Sequence, residues 1–433
     1  MLVRHFVLIR VSELMSLIKR YSAFALIRGA LAAQRGWSPA WRDAVPKTRY
    51  DAIIVGGGGH GLATAYYLAK NHGISNVAVI ERGWLGGGNT GRNTTIVRSN
   101  YLYPESARFY DFSLRLYESL SQTLNFNIML SQRGLVTLAH TRHDLDSMAR
   151  WANAMIMNGI DAGILSRKEV QDRMPALDMS PRARFPILGG FTQARAGSAR
   201  HDAVAWGYAR AASAIGVDIV QNCEVQGFLL ENGRVAGVRT NRGVIRAERV
   251  GIAVAGHSSV LANLAGFRLP VTSYALQAMV TEPVKPVLDT VVLSPATGAY
   301  VSQSDKGEMV LGAGLDLFPS YAQRGSFAVM QNTIAGVLEL FPSFSRLSLL
   351  RQWAGVVDVV QDSSPIIGAT PVDQLYISTG WGTGGFKAIP AGGWTFAHVL
   401  ATGRNHELAE PFQLKRFATG RLIDEAAAAG IAH

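Results

Sequence analysis

A glycine-rich turn and a carboxylate that follows it are the residues best suited to carry chemistry. Residues 50–61 form an apolar run that ends in a turn containing Gly56, Gly58 and Gly61. Gly56 allows a tight turn, Gly58 lets the backbone approach a pyrophosphate, and Gly61 lets the next helix pack closely on the strand. Glu81 ends the following apolar run, where a carboxylate can accept hydrogen bonds from an adenosine ribose. This order of parts predicts a site for an adenine dinucleotide and therefore a redox enzyme.

A second glycine-rich loop, GWGTGGFK at 380–387, lies more than three hundred residues after the first. The run 375–379 is predicted as a strand before it, and a helix is predicted from about 391 to 401. The first loop would hold pyrophosphate, while the second presents amides and a helix start to a ring that is negatively charged when reduced. Two loops this far apart therefore favour FAD over a nicotinamide.

Composition excludes several classes of protein. The chain has 433 residues, of which 48% are hydrophobic and 17% charged, as in a compact globular protein with more than one domain. The net charge of +11 comes from scattered Lys and Arg residues, which favours anionic substrates or an acidic partner over nucleic acid. The lone Cys223 excludes intramolecular disulfides and multi-thiolate metal sites, is typical of a small buried thiol, and fits a reducing cytoplasm. No metal site is predicted.

The first residues do not have the pattern of a membrane span. Three charges interrupt the apolar positions of residues 1–14, so this segment is too short and too broken for a membrane span. The alternative is an amphipathic helix at a membrane surface. Met15 is an alternative start. The basic segment 15–49, with Trp37 and Trp41, is predicted to be an arm that packs on the body or on a partner.

Strand and helix patterns predict an interleaved α/β fold, with helices at 62–70 and from 104 to about 124. The β-branched run at 249–256 resembles a buried parallel strand, whereas alternating runs from 270 to about 350 predict an antiparallel sheet. The predicted fold class is α/β with an α+β substrate domain, in which a Rossmann-like FAD-binding domain is interleaved with the antiparallel sheet. The predicted boundaries are an N-terminal arm at 1–49, an FAD-binding domain at 50–110, 196–268 and 350–433, and a substrate domain at 111–195 and 269–349.

The two glycine loops, with one predicted to hold pyrophosphate and the other to face the flavin ring, resemble those of the amine-oxidising FAD family that includes D-amino acid, glycine and sarcosine oxidases. Two short segments strengthen this resemblance, Trp-Ala-Gly at 353–355 and Asp-Ser-Ser-Pro-Ile-Ile-Gly at 362–368. Four longer segments are similar to the beta subunits of heterotetrameric sarcosine oxidases, and the similarity extends from about Lys19 to the carboxyl terminus. These segments are GGGGHGLATAYYLAKNHGI at 56–74, GWLGGGNTGRNTTIVRSNY at 83–101, ARHDAVAWGYAR at 199–210 and GWGTGGFKAIPAGG at 380–393.

The resemblance implies two flavins. FAD would be held noncovalently, and FMN would be attached covalently through its 8α-methyl carbon to His201, which matches the histidine of the family's AxHD motif. From the residues alone, His201 beside Asp202 would instead be interpreted as a histidine at a helix start, capped by its neighbour. The implied FAD contacts, together with the turn glycines, are Gly56, Gly58, Gly59, His60, Gly61, Glu81, Asn93, Thr94, Arg98, Asn100, Val225, Gly382 and Gly385.

Two cations are the implied catalytic residues. Arg98 and Lys387 would fix an amino acid's carboxylate so that its N-methyl group meets the flavin, which is positioning and not acid–base catalysis. Lys387 is also an implied FMN contact, and the substrate domain is separately predicted to lie on the FMN side. The alternatives are a pyrophosphate-neutralising or surface cation for Arg98 and a solvated loop residue for Lys387. Tyr274 replaces a histidine of the family, so no substrate role is carried over to it.

The implied reaction is oxidative demethylation of sarcosine. Hydride passes to FAD, electrons pass to FMN and then to O2, and the products are glycine, H2O2 and formaldehyde or 5,10-methylenetetrahydrofolate. Implied partners are an alpha subunit with NAD and smaller gamma and delta subunits of a cytoplasmic heterotetramer, with no nucleic acid and no membrane span. Two alternatives remain, namely an FAD dehydrogenase for dimethylglycine or another secondary amine, and a flavin-holding scaffold subunit without activity.

Overall fold

The computed structural model describes residues 23–33, 35 and 39–423. Residues 1–40 make one unit, in which the described part contains helix α1 (Ala23–Leu31). A second unit begins at Trp41 and contains every other element given below. The proposed start at Met15, the segment 1–14 and Trp37 lie outside the described residues. Within the described ranges, no helix is long and apolar enough to cross a membrane.

The strands belong to two large sheets and one small two-stranded pair. They are β1 (Arg49–Val55), β2 (Val77–Ile80), β3 (Ile96–Val97), β4 (Leu135–Ala139), β5 (Ala162–Ser166), β6 (Gly189–Gln193), β7 (Gly197–Ser198), β8 (Asp218–Val220), β9 (Val225–Glu231), β10 (Arg234–Thr240), β11 (Gly243–Ile252), β12 (Val271–Pro283), β13 (Val291–Ser294), β14 (Ala299–Gln303), β15 (Glu308–Leu315), β16 (Leu349–Val360), β17 (Ile366–Ala369) and β18 (Leu375–Thr379).

The helices after α1 cover the first sheet and flank the second. They are α2 (Gly59–His72), α3 (Pro104–Thr123), α4 (Arg142–Met157), α5 (Arg167–Arg173), α6 (His201–Ala214), α7 (Ser258–Leu264), α8 (Phe327–Leu340), α9 (Ile389–Thr402) and α10 (Arg416–Thr419).

The first sheet brings the two glycine loops to one edge. Its strand order is β17-β18-β11-β1-β2-β8, and β1 pairs in parallel with both β11 and β2, while β11 pairs in parallel with β18. These strands are runs of buried Val, Ile and Ala, as expected for a sheet covered on both faces. Because the carboxyl ends of parallel strands meet at one edge, the loops after β1 and β18 become neighbours, as the sequence predicts.

Helix α2 begins earlier than the sequence pattern indicated. The predicted helix starts at Leu62, but the observed one starts at Gly59 and ends at His72, with Gly73 in the left-handed conformation at its end. Gly59 and Gly61 are therefore part of the first helical turn, where the backbone amides have no partner within the helix. Small residues let α2 lie close to α9, since the backbone of Gly393 faces Ala63.

The second sheet is almost entirely antiparallel, in order β16-β12-β15-β14-β13-β4-β6-β5, with β13 and β4 as the parallel pair. Strand β16 pairs with β12 from Val360 back to Leu349 and therefore lies in this sheet. The predicted FAD-binding domain takes in residues 350–433 and therefore includes most of this strand. The domain division stays a prediction.

A buried ion pair holds the end of the described chain against the first sheet. Arg416 and Asp362 are 3% and 1% exposed and form a bidentate pair, with Nε to Oδ2 at 2.7 Å and Nη2 to Oδ1 at 2.8 Å. The guanidinium also donates to the carbonyls of Ser364 and Pro365, just before β17. Since all these donors and acceptors are paired, the segment after α9 is fixed to the sheet edge.

Candidate functional site

A cavity of about 860 Å³ opens at the carboxyl ends of β1 and β18 and receives side chains from both large sheets. This volume lies in the range of cofactor and small-molecule sites. Among the residues that line it are the predicted site residues Gly56, Gly58, Gly59, His60, Glu81, Asn93, Thr94, Arg98, Asn100, Val225, Gly382, Gly385 and Lys387. Gly61, His201 and Tyr274 are not among its lining residues.

The turn after β1 needs glycine at two positions. Gly56 has a φ of +112°, and a side chain there would overlap the carbonyl oxygen of Ala253, which directly follows the neighbouring strand β11. A side chain at Gly61 would overlap the carbonyl oxygen of Gly56, so this glycine serves close packing and does not face the cavity. The amide of Gly59 donates to Thr90 Oγ1 at 2.9 Å, which fixes the turn against the segment that follows β2.

Glu81 braces two loops as well as facing the cavity. Its Oε2 accepts from the amide of Gly57 at 2.8 Å, and its Oε1 accepts from the amide of Gly83 at 2.9 Å. Each carboxylate oxygen has a second lone pair, so both can still accept a hydrogen bond from a ligand. The predicted ribose contact is therefore compatible with a structural duty that the motif alone did not indicate.

Asp358 holds the start of the loop after β18, which we call the ring loop (residues 380–388). Its carboxylate is 1% exposed and lines the cavity. Oδ2 accepts from the amide of Gly380 at 2.6 Å, the amide of Trp381 at 3.2 Å and Thr379 Oγ1 at 3.0 Å. Burial raises the pKa of Asp358 to about 6, against the opposing effect of these hydrogen bonds.

His60 joins the turn after β1 to the ring loop. Its Nε2 donates to the carbonyl of Gly385 at 2.8 Å, and its ring stacks on Trp381 with centroids 4.4 Å apart. Burial lowers the pKa of His60 to about 4, so the ring is neutral near pH 7. Its Nδ1 is buried and, within the described part of the chain, has no hydrogen-bond partner.

Helix α3 braces the far end of the ring loop. Tyr117 Oη donates to the carbonyl of Phe386, and Ser113 Oγ donates to the carbonyl of Lys387, both at 2.7 Å. The loop folds into two short 3-10 turns (Gly382–Gly384 and Phe386–Ala388) before α9 begins at Ile389. Side chains from β16, α2 and α3 therefore fix its backbone before any ligand binds.

The two predicted catalytic cations are buried together. Arg98 is 4% exposed and Lys387 is 6% exposed, and both line the cavity. Arg98 Nη1 donates to Asn100 Oδ1 at 2.7 Å, and Lys387 Nζ donates to the carbonyl of Thr383 at 3.0 Å. Among the described residues no carboxylate lies within 4.0 Å of either cation. Burial and the charge of Arg98 hold the pKa of Lys387 well below its ordinary value. Buried cations without a counter-charge are costly, so this arrangement suits an anionic ligand.

Several cavity residues had not been predicted. Asp358 left a weak signal, since it is an acid inside the valine run 356–360. Tyr101, Tyr110 and Tyr300 left none, because aromatic residues at such positions are indistinguishable from ordinary core residues. Partial burial raises the pKa of Tyr300, against the opposing effect of a hydrogen bond between its hydroxyl and the side chain of Thr94.

His201 lies away from the cavity, at the first residue of α6. This helix packs on the 3-10 turn Thr90–Arg92. The Asp202 carboxylate bonds Arg200 and the amide of Ala203, not the His201 ring. His201 Nδ1 is buried and lacks a partner among the described residues, and burial is the main cause that lowers its pKa. A neutral imidazole whose Nδ1 makes no hydrogen bond to the described residues keeps a lone pair for another partner.

Fold and cavity together define an FAD-dependent oxidoreductase. The family model described as FAD dependent oxidoreductase matches residues 51–399, and the chain belongs to this family. FAD is therefore the cofactor expected in the cavity, and the predicted fold class is confirmed.

Comparison with individual proteins narrows the assignment. The chain is 53% identical to sarcosine oxidase subunit beta of Rhodobacter capsulatus over 416 residues, which cover 96% of this chain and 100% of that protein. It is also 53% identical to sarcosine oxidase subunit beta of Arthrobacter sp, with 91% and 97% of the two chains covered. L-proline dehydrogenase from P. horikoshii has a similar structure, with a TM-score of 0.81 and 26% identity over 87% of this chain and 100% of that chain. The resemblance inferred from the four motif segments is confirmed by the first two relatives.

Proposed function

We propose that this chain is the beta subunit of a sarcosine oxidase and oxidises sarcosine at noncovalently bound FAD. The observation that carries the proposal is the pair of buried cations, Arg98 and Lys387, which share a cavity with the FAD loops and have no carboxylate partner among the described residues. The carboxylate of an amino acid would supply the missing charge. The relatives named sarcosine oxidase subunit beta support sarcosine as that amino acid.

In the proposed reaction sarcosine, O2 and water give glycine, formaldehyde and H2O2. When tetrahydrofolate replaces water as the acceptor of the one-carbon unit, 5,10-methylenetetrahydrofolate forms in place of formaldehyde. Bound FAD supplies a two-electron acceptor for the hydride of the N-methyl carbon. The residues of the chain bind and orient the substrate. Arg98 and Lys387 hold the carboxylate at one end, and the braced ring loop fixes the place where the methyl group must lie. Burial of both cations keeps water from competing for them.

We further propose that FMN is attached covalently to His201. The neutral imidazole with its unengaged Nδ1 supports this assignment. Denaturing the purified protein and separating it from small molecules tests it, because flavin absorbance should remain on the peptide that contains His201. The replacement His201→Ala should release all flavin, whereas His143→Ala, at an exposed position, should not. Free flavin alone from the unmodified chain would contradict the proposal.

The proposed partners are an alpha subunit that brings NAD, and gamma and delta subunits, in a cytoplasmic heterotetramer. The word subunit in the names of the two relatives supports an assembly of several chains. Co-expression followed by size-exclusion chromatography with mass spectrometry of each band tests the proposal. A lone chain with full sarcosine oxidase activity would contradict it.

The substrate is tested by anaerobic reduction of the flavin. Sarcosine should bleach FAD in the assembled enzyme, and replacing either cation (Arg98→Met or Lys387→Met) should raise the sarcosine concentration needed at least about a hundredfold, because each removes a charge-assisted contact in a buried site. Two exposed residues serve as matched controls, Arg108→Met and Lys306→Met, and should behave as wild type.

The same experiment separates the alternatives. Faster bleaching by dimethylglycine than by sarcosine would favour the dehydrogenase that oxidises dimethylglycine. Absence of bleaching by any N-methyl amino acid in the assembled complex would favour the scaffold subunit. Unchanged kinetics in both cation variants would remove Arg98 and Lys387 from the substrate site.

A further inference from the structure

Two tyrosines connect Arg98 to the ring loop. We infer that Tyr101 and Tyr110 are positioning residues that hold the Arg98 guanidinium at the orientation needed to bind the substrate carboxylate. The inference rests on the proposed function, because it assigns a cause to the geometry of the same anion site. No motif in the sequence contains this pair as a unit, since Tyr101 lies in the loop before α3 and Tyr110 lies within α3.

The contacts form a continuous stack. The guanidinium carbon of Arg98 lies 5.0 Å from the centre of the Tyr101 ring, a distance at which a cation and an aromatic face attract each other. The Tyr101 ring stacks in turn on Tyr110, with centroids 3.8 Å apart and planes inclined by 10°. Tyr110 is buried in α3, so the stack ends on a rigid helix. Both tyrosines line the cavity beside Arg98.

The other end of the stack meets the ring loop at Gly384. A methyl group placed on Gly384 would overlap Tyr110 Oη and would lie 3.1 Å from Tyr101 Oη. The two hydroxyls therefore lie directly against the loop backbone. This contact sets how far Arg98 lies from the loop segment that carries Lys387.

The like charges of Arg98 and Lys387 explain why the guanidinium needs a restraint. Burial is the larger cause that lowers the pKa of Lys387, and the charge of Arg98 lowers it further. An unrestrained arginine side chain would turn away from the lysine. Asn100 accepts a single hydrogen bond from Arg98 and does not define the plane of the guanidinium. A guanidinium binds a carboxylate best through two parallel hydrogen bonds, which requires a defined plane. An aromatic face supplies this restraint without supplying a competing negative charge.

Acetate is the probe, because it carries only the carboxylate. Its dissociation constant is measured from the change in FAD absorbance in the purified holoenzyme without substrate. We expect Tyr101→Leu to weaken acetate binding about tenfold and to raise the sarcosine KM by the same factor, while kcat stays within about twofold. Tyr101→Phe keeps the ring and should restore binding to within about twofold of wild type. A flavin-to-protein ratio equal to that of wild type shows that each variant is folded and loaded.

A compensating pair tests the contact with the loop. Gly384→Ala should weaken acetate binding, because its methyl group overlaps Tyr110 Oη, and the double variant G384A/Y110F should recover part of the loss. Tyr101→Leu with the acetate dissociation constant of wild type would overturn the inference. Failure of wild type itself to bind acetate would overturn the carboxylate site of the proposed function, and with it the inference. The two failures are therefore distinguishable.

Discussion

Asp358 shows how much one buried carboxylate can do. A single oxygen accepts three hydrogen bonds from the start of the ring loop and the residue before it. The other loop contacts of this kind, from His60, Ser113 and Tyr117, are neutral. Among these described contacts, Asp358 is therefore the brace that carries a charge near pH 7.

The stability of the protein should reflect this titration. The pKa of Asp358 is raised from 3.8 to about 6 on folding, so the folded state binds the proton more tightly and stability falls as pH rises from about 4 through 6. A difference of about two units corresponds to about 3 kcal/mol. The Asp358→Asn variant has no carboxyl group to ionise at this position, so its stability does not fall for this reason. Its free energy of unfolding relative to that of wild type should therefore increase between pH 4 and pH 7, as measured by urea unfolding. A difference that does not vary with pH would contradict the assignment.

Lys387 leads to a prediction about ligand binding. Its lowered pKa means that the free site loses its lysine proton at a lower pH than an exposed lysine does. A bound carboxylate favours the charged lysine, so acetate should bind with uptake of a proton and should bind more weakly as pH rises through that pKa. Spectral titration from pH 6 to pH 10 measures this trend. The trend should disappear in Lys387→Met and persist in Lys306→Met.

At the residue scale, local motifs were predictable and long-range partners were not. The roles of Gly56 and Gly61 follow from spacing within one turn, and the structure shows the close approaches that require them. Asp358 and Tyr110 act on a loop that belongs to another part of the fold, and neither lies in a motif of its own. Their duties depend on packing between elements, which single-residue patterns do not encode.

At the scale of elements, helix α3 supports the ring loop as well as packing in the hydrophobic core. Its residues Ser113 and Tyr117 donate to consecutive loop carbonyls, those of Lys387 and Phe386. A helix holds these two side chains on one face because they are four residues apart. The loop is therefore held in shape by a helix that precedes it by more than 260 residues in the chain.

Removal of one of these donors should loosen the cofactor site. Tyr117→Phe leaves the buried carbonyl of Phe386 without its partner, at a cost of about 1–3 kcal/mol. We expect FAD to dissociate about tenfold more readily, with little change in overall fold, as measured by the fluorescence of released flavin. Ser119→Ala, on the exposed side of the same helix, is the matched control. Equal FAD affinity in Tyr117→Phe and wild type would show that the brace is dispensable.

Element type was easier to predict than element boundaries or sheet membership. The predicted helix from Pro104 to about Leu124 is confirmed as α3, because its periodic apolar face and the proline at its start are local signals. The start of α2 was wrong by three residues, since glycine has a low helix propensity and yet is required there by the turn. The sheet that β16 joins depends on its partner, β12, which its own sequence does not reveal.

At the scale of the whole molecule, the Arg416–Asp362 pair fastens the end of the described chain to the first sheet. Arg416→Met should leave the Asp362 carboxylate buried without its partner and lower the free energy of unfolding by about 3–5 kcal/mol. Arg421→Met, at an exposed position nearby in the chain, should change it by less than about 0.5 kcal/mol. Urea denaturation of both holoproteins measures the difference, and similar values for the two variants would contradict the role of the pair.

Strand β16 has a consequence for protein engineering. It hydrogen-bonds within the second sheet, yet its Asp358 holds the loop that follows β18 of the first sheet. A chimera that exchanges one sheet and keeps the other would therefore separate the loop from its acceptor, even if every strand pairing survived. Introducing a different substrate-facing sheet into this fold therefore requires that β16 and the ring loop be exchanged together. The unit to exchange is the loop with its hydrogen-bond acceptor, and not a whole sheet.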